Sequence, residues 1–414
     1  MNPSPLLSLD EALSKLLLKA LNMNRSHLVS TFEADGRVLA EDLISAIHVP
    51  AFDNSAMDGY ALRIADLPSH DSVLELGQRI FAGQSPSELE SGKVARIFTG
   101  APIPLGADAV VMQEEVQLVD DSHVRFNRTP DVGQCIRRQG EDIAKSAVLL
   151  AKGTRLDPAS LGLAASIGCA NLKVAVAPKV ALFSTGDELV MPGDIDPSDL
   201  PAGSIFNSNR FFLRSLLERF GCQVTDMGNI PDDATKTLEA LSSAAIAHDV
   251  ILTSGGVSVG EADFVKPAVQ ALGELQLWSL SMKPGKPFAY GNVKSQSDPQ
   301  QQAHFIGLPG NPVSSLVTFL LLVRPFVLSL QGCSSMSIRP VSVRADFSLP
   351  KADKRREFLR VKRNDKGGVD LFPNQSSGVL TSAVWGDGLV DNPAGTTISH
   401  GDMVSFLSFN ELMS

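Results

Sequence analysis

The sequence predicts a multidomain protein of class α/β plus β. Three observations predict it: the length, an alternation of strand and helix patterns from residue 179 onward, and short, turn-punctuated strand runs on either side of that region. A chain of 414 residues is longer than one core usually organises, the ordinary scale being about 150 residues per domain. With 43% hydrophobic and 20% charged residues, substantial cores can form, which excludes global disorder and a disulfide-stapled miniprotein. The balance of 36 Lys and Arg against 46 Asp and Glu, a net charge of -10, argues against nucleic acid as a partner. Any anion the protein binds must be met by local groups.

Taken in order, Ser8 followed by Glu11 has the form of a capping box opening a helix that carries Leu13, Leu16, Leu17 and Leu21, which is not the pattern of a signal peptide. After HVPAFDNSAMDGYALR, a loop-rich insertion, the stretch from Ser72 to Arg137 alternates short apolar runs with Gly, Pro and Asp, as expected of an all-β module. Pro158 to Gly168 reads as a short helix with Gly168 near its end. From Lys179 the chain reads βαβαβ: KVALFS, NRFFLRSLLERFG, QVTDMG, TKTLEALSSAAIA and DVILTSGG, followed by the strand HFIGL. The second of these has apolar residues at helical spacing with Gly221 as its stop, and the strands are short apolar runs typical of buried parallel sheet, so a three-layer α/β domain follows. Val313 to Leu330 is apolar but broken by Arg324 and Pro325, which fits a buried helix better than a membrane span. Beyond Gly332, IRPVSVRADF, REFLRVKR, GVDLFP and MVSFLSF return to short strands, predicting a small β-barrel or sandwich. The expected domains are residues 1–45 with 143–178, an inserted β-module at 46–142, the α/β domain at 179–331 and a C-terminal β-domain at 332–414. The four cysteines, Cys135, Cys169, Cys222 and Cys333, form no CxxC pair, which predicts a reducing, cytoplasmic setting.

Ligands of open parallel sheets bind at the carboxyl ends of the strands, so STGDE, NIPDD, SGGVSVGEAD and GLPGNP form the expected site. Between strand and helix, Gly255, Gly256 and Gly260 allow backbone amides to approach a phosphate, although neither a Walker lysine nor the dinucleotide spacing is present and a plain turn is the alternative. Asp187, Glu188, Asp232, Asp233, Glu261 and Asp263 would gather carboxylates there, hard oxygen ligands suited to Mg²⁺. Asp232 as a helix cap and Asp187 as a turn residue are the competing readings. SMKPGKPFAYG holds Lys283 and Lys286 beside a turn where two ammonium groups can face one oxyanion. GLPGNPVSS adds Gly310, Asn311 and Ser314 at a helix start marked by Pro312. KADKRREFLRVKR offers Arg356 or Arg360 as forked donors for a tetrahedral anion, against the alternative of a solvated hairpin. In the β-module, Asp53, Asp58 and Thr99 lie in segments that turn chemistry also explains.

FDNSAMDGYA, IFTGAPIP, GEDI at 140–143, STGDEL, TSGGVSVGEADF, MKPGKPFAYG, GLPGNPVS and RREFLRV occur in one order over most of the chain. This chain resembles the molybdopterin molybdenumtransferases, bacterial proteins related to the C-terminal part of gephyrin and to one domain of the plant enzyme that completes the molybdenum cofactor. The resemblance implies an elongated homodimer with an elongated N-terminal domain and an active site between the α/β domain of one subunit and the β-module of the other. It implies a reaction in which molybdate and adenylylated molybdopterin yield molybdenum cofactor and AMP, with Mg²⁺ present. Asp58, Thr99, Asp142, Glu188, Asp232 and Asp263 are then the catalytic candidates, the last three as metal carboxylates. Gly255, Gly256, Ser258, Gly260, Lys283, Lys286, Gly310, Asn311, Ser314, Arg356 and Ser376 are the substrate-binding candidates. A molybdopterin adenylyltransferase and recipient molybdoenzymes are the expected protein partners, with no nucleic acid and no membrane. Two rival readings are that adenylyltransferase itself, which usually lacks the flanking β-regions, and a non-catalytic molybdopterin-binding scaffold.

Overall fold

The structure, a computed structural model, describes residues 6–69, 71–256, 264–298 and 300–414. The chain divides into two compact units, one of residues 1–41, 152–157 and 172–414 and the other of residues 42–151 and 158–171.

The larger unit is built on a six-stranded sheet in the order Gln223–Ile230, Lys179–Thr185, Val250–Ser254, Gln302–Leu308, Pro287–Lys294 and Gly273–Ser279. The first four strands run parallel, and Pro287–Lys294 is antiparallel to both of its neighbours. Strand periodicity decides which core each side chain enters. Val180, Leu182, Val250, Leu252, Ile306 and Leu308 face one core, while Ala181, Phe183, Ile251, Ala303 and Phe305 face the other. Burial on both faces explains why these strands read as continuous apolar runs. The helix Asn209–Arg219 covers the first face through Leu213, Leu216 and Leu217. Helices Ala234–Ala247 and Val265–Leu272 cover the second through Leu241, Ala245, Val265 and Val269.

The N-terminal helix Leu9–Leu17 carries the expected capping box, with Ser8 accepting from the Glu11 N–H and Glu11 accepting from the Ser8 N–H. It packs Leu9, Ala12 and Leu16 into the first core but ends before Leu21, which is exposed. The long helix Pro312–Leu330 is 89% buried over its most apolar window, as a core helix should be. Pro325 has no N–H to continue the ladder, and a π turn at Phe319–Val323 precedes it. The buried Arg324 guanidinium donates to the Met336 carbonyl at 2.8 Å.

The C-terminal strands Val341–Ala345, Arg356–Arg363, Gly368–Leu371, Gly388–Asn392 and Met403–Ser408 close on themselves. Arg356–Arg363 pairs with both Gly368–Leu371 and Gly388–Asn392, which makes a five-stranded barrel around Leu359, Val361, Val369, Val390 and Phe406. Of the expected alternatives the barrel is the one formed. A two-residue strand, Met282–Lys283, joins the same sheet beside Arg356.

The smaller unit holds a six-stranded sheet in the order Ala109–Met112, Gly59–Leu62, Lys93–Ile97, Ser72–Ile80, His123–Phe126 and Val116–Asp120. Tyr60, Leu62, Val94 and Val111 line one face, and Ala61, Ala95, Ile97 and Val110 the other. The helix Pro158–Ser166 belongs to this unit, and Gly168 past its end takes φ +79.

Candidate substrate cavity

Four strand ends of the α/β sheet surround a cavity of about 540 Å³. Thr185 ends the strand Lys179–Thr185, Gly186 and Glu188 follow it, and Asp232 follows Gln223–Ile230. Gly255 and Gly256 follow Val250–Ser254, while Gly310, Asn311 and Ser314 follow Gln302–Leu308. Seven sequence-nominated residues, Glu188, Asp232, Gly255, Gly256, Gly310, Asn311 and Ser314, therefore share one wall system. That placement is what parallel strands dictate, since their carboxyl ends all open on one side.

Backbone conformation shows why glycine is needed here. Gly255 and Gly256 adopt φ of +98 and +69, and a Cβ on them would come within 2.6 Å of the Thr185 hydroxyl and of a Val265 methyl respectively. The loop is thus packed against its neighbours as closely as backbone alone permits. Ser258, Gly260, Glu261 and Asp263 lie outside the described residues.

Carboxylates lie along the rim. Asp187 accepts from the Asp232 N–H at 3.3 Å, which ties the loop holding Glu188 to the one holding Asp232. The helix cap is Asp233, accepting from the Lys236 N–H at 2.8 Å, so Asp232 is released from that duty and remains an exposed carboxylate on the cavity. Among the described residues no group of three or more His, Cys, Asp or Glu is arranged to hold a metal by itself.

The basic candidates are placed differently. Lys283 is bound to Glu357 at 3.0 Å and Asp353 at 3.3 Å. Partial burial works against its charge, but the hydrogen bond and charge of Glu357, then those of Asp353, outweigh it and hold the ammonium above its ordinary pKa. Lys286 is exposed, and the next residue, Pro287, lines the cavity. Arg356 forks onto Asp391 at 2.7 and 2.6 Å and also reaches Asp10 at 3.2 Å. These carboxylates, Asp391 first, raise its pKa further. Its donors are committed.

Arg360, four residues along the same strand, is the contrasting case. It is 1% exposed, and its guanidinium donates to the Ser382 hydroxyl at 3.1 Å and to the carbonyls of Phe358 and Ser376 at 3.2 Å. None of these acceptors carries a charge, and burial pulls its pKa down to about 10. The segment above it is fixed by Gln375, whose side chain pairs with both backbone groups of Arg360 at 2.9 Å. Ser376 is exposed there, and the Ser377 carbonyl accepts the Val313 N–H at 2.9 Å, at the start of the helix bordering the cavity.

Asp58, Thr99 and Asp142 belong to the smaller unit. One oxygen of Asp58 accepts both the Thr99 N–H and the Thr99 hydroxyl at 2.8 Å. The backbone bond first and the hydroxyl second lower the Asp58 pKa, with Arg96 a smaller contributor. Arg96 is itself held over the rings of Tyr60 and Phe98 at 5.1 and 4.8 Å. Asp142 is exposed, and its N–H donates to the Val49 carbonyl at 3.1 Å.

Sequence patterns did not single out the polar triplet Asn207, Ser208 and Asn209 on the cavity wall. The available signal was its place directly before the amphipathic run of the helix Asn209–Arg219, where such residues read as caps. Arg360 was legible only as an alternative to Arg356, because burial cannot be read from a charge cluster.

Three family models match the chain: the MoeA N-terminal region (domain I and II) over residues 7–168, a probable molybdopterin binding domain over 181–329, and the MoeA C-terminal region (domain IV) over 342–409. The molybdopterin molybdenumtransferase of Haemophilus influenzae is 41% identical, covering 99% of this chain and 100% of the relative. That of Nostoc sp. is 33% identical over 96% of this chain and 86% of its own length. A crystal structure of the molybdopterin biosynthesis moeA protein from Pyrococcus horikoshii OT3 superposes with a TM-score of 0.82 at 28% identity, covering 98% of this chain and 100% of the other.

Proposed function

The chain belongs to the molybdopterin molybdenumtransferase family, transferases that insert molybdenum in molybdenum cofactor biosynthesis, and on that premise we propose that its central cavity binds adenylylated molybdopterin, takes molybdate as co-substrate and releases AMP. The observation that carries this reading is a cavity of about 540 Å³ that both glycine-containing turns line together with Glu188 and Asp232.

The division of labour follows from the chemistry of each wall. Gly255, Gly256 and Gly310 let backbone approach the ligand's phosphates, with Asn311 and Ser314 beside them, and Ser258 and Gly260 are assigned to the same cradle. Inserting a dianion beside a phosphorylated ligand requires fixed positive charge. Lys286, next in sequence to the cavity-lining Pro287, is assigned that contact, and Ser376 is assigned a place in ligand binding. Arg360 contributes a buried guanidinium whose partners among the described residues are all uncharged, the Ser376 carbonyl being one of them. Lys283 and Arg356, tied to carboxylates, hold the frame around it.

Glu188 and Asp232 suit Mg²⁺, which commonly takes one or two carboxylates and completes its shell with water and substrate phosphate. Asp263 is the third carboxylate assigned to it. When bound, the ion would offset phosphate charge as the adenylate is cleaved. The carboxylates of this chain orient the attacking water, and the amides of the glycine loop receive the developing charge.

Asp58, Thr99 and Asp142 are assigned to the same reaction from the β-module of a second copy in a homodimer. An adenylyltransferase supplying the substrate and molybdoenzymes receiving the product are the proposed partners, in the cytoplasm. The test is AMP release from adenylylated molybdopterin by the purified protein, with Mg²⁺, in the presence and absence of molybdate. Release that needs molybdate supports the assignment; release that ignores it reduces the protein to a phosphohydrolase.

A further inference from the structure

Asn209 opens the helix Asn209–Arg219, lines the cavity and is only 7% exposed. Its amide nitrogen donates to the Ser254 hydroxyl at 2.8 Å and to the Gly310 carbonyl at 2.7 Å. A side-chain amide has two N–H donors, so both are spent. The Gly310 carbonyl can only accept, so the flipped amide would set oxygen against oxygen; chemistry therefore fixes which way the group points. The amide oxygen is buried and has no partner among the described residues. An apolar side chain would avoid that unpaired oxygen but could not tie two loops together.

Those two loops are the ones that face the ligand. Ser254 ends its strand immediately before Gly255 and Gly256, and Gly310 sits in the turn that leads to Pro312. At their base the loops are joined once already, by the Gly255 N–H donating to the Leu308 carbonyl at 3.0 Å. Asn209 adds a second tie, from Ser254 at the end of its strand to Gly310 in the turn. Asn207 makes a comparable one to the next strand, donating to the Ser184 hydroxyl at 2.8 Å.

We propose that Asn209 is a positioning residue that sets the gap between the Gly255–Gly256 loop and the Gly310 turn, so that a ligand spanning both meets a preformed distance. The proposal rests on the reading of this cavity as the site of adenylylated molybdopterin. A spanning ligand gains from preorganisation at both ends, whereas a small anion held by one loop does not depend on the gap.

The test compares two probes on the full chain, adenylylated molybdopterin and inorganic phosphate. Asn209→Leu keeps a similar shape and removes both donors without adding charge to the cavity. It is expected to weaken the spanning ligand about tenfold or more and to leave phosphate within about twofold. In turnover, KM rises while kcat at saturation holds, because Asn209 touches no reacting atom. Ser254→Ala, which removes one tie and leaves Asn209 in place, is expected to weaken the spanning ligand about threefold, and it decides the matter if Asn209→Leu does not fold. Equal weakening of both probes, unchanged affinity for the spanning ligand, or a fall in kcat at constant KM overturns the role of Asn209. A wild-type protein that does not bind adenylylated molybdopterin contradicts the functional reading instead.

Discussion

At the scale of single residues, hydrogen bonds and charge separate groups that look alike in sequence. Two arginines of one strand, Arg356 and Arg360, differ in what surrounds them: the first is neutralised by Asp391 and Asp10, the second by no carboxylate among the described residues. Arg360→Lys keeps the charge and loses the directed fork, and we expect molybdate affinity to fall about tenfold while the fold persists; molybdate titration of the purified variant checks this. Asp58 supplies a pH prediction. Its pKa is depressed by Thr99, so its contribution to stability is fully present above the unfolded value of about 3.9 and is lost as pH falls through the lower folded value. Thr99→Val removes one of the two bonds and should move the Asp58 pKa upward, read from its carboxyl carbon by NMR titration. An unmoved value would show that the hydroxyl contributes nothing.

At the scale of elements, the capping box and the glycine loop make the clearest claims. Ser8→Ala should destabilise the helix Leu9–Leu17 by about 1 kcal/mol in denaturant unfolding, the usual worth of such a cap. Gly255→Ala meets both a positive φ and the Thr185 hydroxyl, so ligand affinity should drop more than stability, and an unchanged affinity would remove that loop from the site. The same elements show what the sequence could and could not reveal. The strands Lys179–Thr185, Val250–Ser254 and Gln302–Leu308 were legible because double-sided burial leaves uninterrupted apolar runs. Gly273–Ser279 and Pro287–Lys294 were not, because the first is half exposed and the second begins inside a proline-glycine turn that hides its pattern. Gly388–Asn392 escaped for a related reason: its five residues carry only two apolar side chains that mark a strand. Of the candidate site, loop residues such as Glu188 and Gly255 could be found from topology alone. Asn209 could not, since its role depends on burial and on a partner 101 residues away, and Arg360 could be offered only as an alternative to Arg356 because burial tells the two apart.

At the scale of the whole molecule, the assignment of Asp58 to a site completed by a second copy is a proposal that oligomeric state and complementation test. If Asp58 acts across a homodimer, a mixed dimer of Asp58→Asn and Asp232→Asn protomers should regain up to one working site, and mass measurements in solution should find two copies. Restored turnover in the mixture, absent from either parent, is the expected result; a monomer in solution would require the site to be complete within one chain. The central claim, that this cavity couples molybdenum insertion to loss of AMP, is tested most directly by single-turnover AMP release from adenylylated molybdopterin with and without molybdate, in wild type and in Asp232→Asn. Molybdate-dependent release is expected in the wild type and at least a hundredfold slower release in the variant, the order of magnitude for removing a group that acts in the transition state, roughly 10²-fold or more. Equal release by both proteins, or release that ignores molybdate, would contradict it.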